Sequence, residues 1–110
     1  MTINDYQIAA LRTARADSEA DLLINGVMGM CGEAGECIDL VKKFMFQQHK
    51  LDFDHIAKEL GDVAWYLAVT AYAIGYDLES VLQMNVDKLK KRYPEGFDAD
   101  RSQHREEGDI

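Results

Sequence analysis

The feature that most constrains this chain is the spacing of its apolar residues, which recur every three or four positions along most of its length. No stretch alternates with a period of two for long, so strands are not on offer. A chain patterned this way hides one stripe of each segment only as an α-helix, and a single proline, Pro94, leaves long helices uninterrupted. A first, short helix is predicted over 4–16, with Ile8, Leu11 and Arg15 setting apolar against charged sides. Asp17-Ser18 caps a long second helix whose stripe is Leu23, Val27, Met30, Ala34, Ile38, Val41 and Met45, ending at the polar break 47–50. Asp52 or Asp54 caps a third, with the stripe Ile56, Leu60, Val63, Leu67, Ala71 and Ile74 and with Gly75 at its C-terminal end. A fourth helix runs over 78–92, with Val81, Leu82, Asn85, Val86 and Leu89 on one side, until Pro94 stops it. Residues 95–110 read as an extended tail. The expected fold is all-α, a four-helix bundle type in one domain spanning 1–110, with two long central helices.

Charge and cysteine use narrow the partners. Twelve basic against 20 acidic residues give a net charge of −8, which repels a nucleic-acid duplex and an anionic membrane. A small phosphorylated substrate stays compatible if metal cations stand between it and the carboxylates. The longest apolar run, 63–76, is shorter than the ~20 residues that span a bilayer, and the polar, acidic N-terminus does not read as a signal peptide. Cys31 and Cys37, six residues apart, project about 120° away from each other on a helix and read as small hydrophobes in a reduced core. A soluble, cytoplasmic protein is expected.

Gly26, Gly29, Gly32 and Gly35 fall at every third position inside the second helix. At about 0.8–1.0 kcal/mol each relative to alanine, such a run needs a compensating close approach. Either another helix, within the bundle or across a dimer, or a ligand supplies it. In both cases this helix faces something on more than one side.

Two acidic pairs carry the candidate chemistry. Glu33 and Glu36 lie on the second helix, Glu59 and Asp62 on the third, each pair about 60° apart in azimuth. Antiparallel packing would gather all four carboxylates into one patch. They could be ordinary solvated faces. Against that, they share their faces with Gly29, Met30, Tyr66 and Val69, and no basic residue follows any of them at i+4. Gathered carboxylates repel unless a divalent cation sits among them, and an all-oxygen set suits Mg²⁺, with Mn²⁺ or Ca²⁺ as substitutes. His49, His55 and His104 show no ligand spacing to one another or to the acidic pairs, and the missing Glu-x-x-His disfavours a di-iron bundle. No P-loop and no GxGxxG is present.

The fourth helix supplies a complement. Asn85, Lys88 and Arg92 share one face, and Lys88, Lys90, Lys91 and Arg92 leave the segment at +3 once Asp87 is counted. This concentration suits phosphate groups, or it complements the helix macrodipole. Lys42-Lys43 is a weaker basic pair. Trp65 and Tyr72 read as core, whereas Tyr66 lies one turn beyond Asp62 and within reach of the same ligand.

Taken in order, Gly32-Glu-Ala-Gly-Glu36, Glu59-Leu-Gly-Asp62-Val-Ala-Trp-Tyr-Leu67 and the stretch from Asn85 through Arg92-Tyr-Pro-Glu-Gly-Phe97 resemble the MazG-like nucleoside triphosphate pyrophosphohydrolases, an all-α superfamily. The resemblance implies that Glu33, Glu36, Glu59 and Asp62 are catalytic Mg²⁺ ligands. It also implies that Tyr66, Asn85, Lys88, Arg92 and Tyr93 surround the nucleotide's sugar and phosphates. The leading Glu of the family's doublet is Gly32 here. The implied reaction cleaves a (d)NTP between the α and β phosphates, giving monophosphate and pyrophosphate, in a homodimer or homotetramer. The competing class is a catalytically degenerate helical module that binds nucleotide or a basic protein surface.

Overall fold

The computed structural model describes all residues 1–110 and contains five helices and no strand. Helix α1 is Ile3–Leu11, α2 Glu19–Phe46, α3 Phe53–Ala73, α4 Leu78–Arg92 and α5 Ala99–Gln103. The starts follow local chemistry. Thr2 and Asp5 form a reciprocal capping box on α1, the Ser18 side chain accepts the Asp21 amide, and Asp52, rather than Asp54, accepts the His55 amide. Gly75, at φ +86°, turns the chain beyond α3 in the left-handed region that a Cβ disfavours.

Two expectations are corrected. Helix α1 ends at Leu11 instead of near 16, because the Ala10 carbonyl that would bond Ala14 is taken by the Trp65 indole N–H at 3.1 Å and by the Thr13 hydroxyl at 3.1 Å. The tail is not wholly extended. The Asp98 carboxylate accepts the Asp100 and Arg101 amides and starts the short helix α5.

The chain divides into two compact units, Met1–Leu78 and Glu79–Ile110. In the first, α2 and α3 pack along each other and α1 lies on α3. A cluster of Ala10, Ala68 and Leu78, flanked by Tyr6, Trp65 and Leu67, forms the core. Gln7 is the buried polar residue that fastens it. Its amide nitrogen donates to the Ala68 carbonyl at 3.1 Å and the Tyr76 carbonyl at 3.2 Å, and its oxygen accepts the Leu78 amide at 3.0 Å. One side chain thereby closes α1 onto the end of α3 and satisfies a backbone donor at the start of α4.

The face that α2 turns inward coincides only in part with the apolar stripe read from the sequence, of which Leu23, Met30 and Val41 are half-buried. Leu22 and Gly26 are its buried positions, whereas Val27, Ile38 and Met45 are 43, 65 and 64 % exposed. An added Cβ at Gly26 would overlap the Thr70 hydroxyl, and one at Gly29 would overlap the Tyr66 ring. Backbone proximity, available only at glycine, selects this face over the bulkier one. Gly32 and Gly35 face open space. Leu60 and Tyr72 on α3 and Ile74 just beyond it, expected in the core, are also exposed, and so is Cys31. In the second unit α4 is followed by the Tyr93–Phe97 ring contact, by α5, and by a turn at Gly108.

Candidate active site

The close contact of α2 with α3 also sets the register of the acidic residues. Gly26 meets Thr70 and Gly29 meets Tyr66, so each step of three or four forward along α2 matches four back along α3. One further turn brings Glu33 to Asp62. Glu59, one turn before Asp62, completes the group, and one carboxylate oxygen from each of Glu33, Glu59 and Asp62 lies within 4.8 Å of the others. Glu36 does not join them. It is exposed on the solvent side of α2, although its charge still reaches Glu33.

Electrostatics shows the strain of this gathering. The Glu33 carboxyl is pushed above its usual 4.5, first by desolvation, then by the hydrogen bond it shares with Glu59, then by the charges of Asp62, Glu59 and Glu36. Two neighbours were not anticipated. His55 Nε2 lies 3.0 Å from Glu59 Oε1, an i, i+4 partner on the N-terminal side of the acidic pair. This corrects the reading that the histidines stand apart from the acids. Tyr6, from α1, places its hydroxyl 3.5 Å from the Gly61 carbonyl. Burial, and behind it the Asp62 charge, raises its pKa. No pattern in the sequence links Tyr6 to the acids.

The donor set fits a hard divalent cation. Three carboxylates converge with no lysine or arginine among them, and Lys42 and Lys43 are tied instead to Asp39 at 3.1 and 2.8 Å. Half-buried Tyr66 stands edge-on to Trp65, ring centroids 4.9 Å apart, beside Gly29 and one turn from Asp62.

The remaining residues singled out in the sequence lie in the second unit. Asn85, Lys88 and Arg92 do share one face of α4, lining a cavity of about 620 Å³. Arg92 is engaged by Asp109 through two hydrogen bonds of 2.8 and 2.7 Å, and its guanidinium lies 5.8 Å from the centre of the Tyr93 ring. Tyr93 itself packs on Phe97.

Residues 25–97 match the MazG nucleotide pyrophosphohydrolase domain, a span that contains the acidic cluster and every residue of α4. The chain belongs to the MazG family. It is also similar to the Gene 37 protein of Mycobacterium phage L5, 37 % identical over 105 residues that cover 87 % of this chain and 92 % of that protein. No solved structure matches it. The all-helical architecture agrees with this MazG membership. No helix is long and apolar enough to cross a membrane.

A testable consequence follows from Glu33. A carboxyl whose folded pKa is raised favours the fold below its usual pKa, and that contribution is lost as pH rises through the raised value. Without metal, Glu33→Gln should therefore raise the melting temperature at neutral pH and flatten its fall between acid and neutral pH. On adding Mn²⁺ the same variant should show a smaller rise in melting temperature than the wild type. Differential scanning calorimetry with and without EDTA reads both effects, and a lowered metal-free melting temperature would contradict the repulsion described here.

Proposed function

We propose that this protein is a Mg²⁺-dependent nucleoside triphosphate pyrophosphohydrolase that converts a (d)NTP to its monophosphate and pyrophosphate, clearing nucleotides from the cytoplasmic pool. The observation that supports this reading is the convergence of Glu33, Glu59 and Asp62 in a chain that belongs to the MazG family. Those three side chains would hold the cation, with Mn²⁺ as a substitute and Glu36 at the margin. The bound ion supplies charge neutralisation for the triphosphate, polarisation of the phosphorus centre and a more acidic water. Glu33 or Glu36 would take the proton of that water. Water forms the new P–O bond at the α–β linkage, its proton passes to the carboxylate, and the bridging oxygen leaves with pyrophosphate. Tyr66 would flank the nucleotide. Lys88 and Arg92, with Asn85 and Tyr93, would receive the phosphates and the sugar.

The same reading includes a homo-oligomer, a dimer or tetramer. Ile38, Met45 and Phe46 on α2, with Phe53 and Leu60 on α3, are exposed apolar side chains of the size that a stable monomer seldom leaves in water. Sedimentation equilibrium should give a mass at least twice that of one chain, and a monomer at micromolar concentration would contradict this part of the reading.

The direct test is pyrophosphate release from a panel of dNTPs and NTPs. Release should require Mg²⁺, stop in EDTA and fall by about 100-fold or more in Asp62→Ala. A folded protein that binds Mg²⁺ and releases pyrophosphate from no nucleotide would overturn the assignment.

A further inference from the structure

Within the second unit, Arg92 takes part in a fork-to-fork pair, Nε donating to Asp109 Oδ2 at 2.8 Å and Nη2 to Oδ1 at 2.7 Å. This is the bidentate geometry that a guanidinium also offers to a phosphate. The pair is well shielded, with side chains 10 and 16 % exposed. The turn that delivers Asp109 is set by Gly108 at φ +83° and by the Asp109 amide donating to the Glu106 carbonyl at 3.1 Å. Hydrogen bonding from Arg92, joined by the charges of Arg105 and Lys88, holds the Asp109 carboxyl below its usual range despite its desolvation.

The surroundings hold more positive charge than Asp109 answers. Lys88, Lys91, Arg92, Arg101 and Arg105 all line the 620 Å³ cavity, against the carboxylates of Glu106, Glu107 and Asp109. Five cations to three anions, in a chain of net charge −8, is an inversion of the local sign. Val81 and Met84 add an apolar side to the cavity.

We infer that Asp109 is a built-in competitor within the phosphate site of the proposed function, occupying the Arg92 fork until an oligophosphate anion of the pyrophosphate type displaces it. Asp109 stands in the C-terminal turn, outside the family-matched span 25–97. A carboxylate tethered 17 residues from its partner acts at high effective concentration, yet it carries one charge where pyrophosphate carries several. Apparent affinity for the external anion is then reduced by the fraction of molecules whose fork is free. The inference takes the phosphate-binding role of Arg92 in the proposed function as its starting point. Its test reads binding without metal or turnover, so its failure and the failure of hydrolysis are separate results.

The experiment is titration calorimetry of inorganic pyrophosphate into the full chain in EDTA. Asp109→Asn should bind about three- to tenfold more tightly than wild type, and adding Arg92→Ala to that variant should remove the gain. Equal or weaker binding by a folded Asp109→Asn would show that the pair only braces the turn, and would overturn the inference. If Asp109→Asn does not fold, the wild-type Arg92 Nε–H resonance serves instead. Saturating pyrophosphate should move it from its carboxylate-bonded position, and an unmoved resonance would overturn the inference equally.

Discussion

The approach of α2 to α3 at Gly26 and Gly29 is the contact on which the rest of the first unit depends. It is bought with helix propensity, since each glycine disfavours its own helix by about 1 kcal/mol relative to alanine. In return the backbone of α2 comes close enough for Thr70 and Tyr66 to lie directly against it. That contact fixes both rotation and register, because a helix rotated by one residue would place a Cβ where the Tyr66 ring lies. The carboxylates one turn further along inherit the register. Their grouping is thus a result of packing, achieved by residues that have no chemistry of their own.

The same packing makes the site costly in the absence of a cation. Glu33 is partly desolvated and faces Glu59 and Asp62, so its ionised form is disfavoured. His55 on the outer side of Glu59 adds a partial counter-charge only when protonated. Stability of the metal-free fold and binding of a cation would oppose each other here. The close carboxylates that weaken the empty fold are those that would hold a hard divalent cation, and binding of that cation would return the lost stability.

Much of this was legible in the sequence, and the failures have physical causes. Ser18, Asp52, Gly75 and Pro94 act through their own backbone neighbourhood, so the helix limits that depend on them could be read locally. The end of α1 could not, because Trp65 reaches Ala10 from 55 residues away. The apolar stripe of α2 is only partly covered, because hydrophobicity marks surfaces that need covering without saying which partner covers them. Glycine marked the intramolecular face instead. The i, i+4 link from His55 to Glu59 is legible in the sequence, as a partner N-terminal to the acid and not C-terminal to it. The cap at Asp98 was likewise readable, whereas the union of Arg92 with Asp109 and the position of Tyr6 exist only in three dimensions.

The claim that packing at glycine positions the carboxylates is tested most directly by the Mn²⁺ affinity of Gly29→Ala, followed by electron paramagnetic resonance of the free ion. All three acids remain in that variant, but the added Cβ collides with Tyr66 and shifts the register on which they rely. Wild type should bind Mn²⁺, and the variant should bind it about 10- to 100-fold more weakly while circular dichroism shows its helices retained. Unchanged Mn²⁺ affinity in a folded Gly29→Ala would contradict the claim that this contact builds the site.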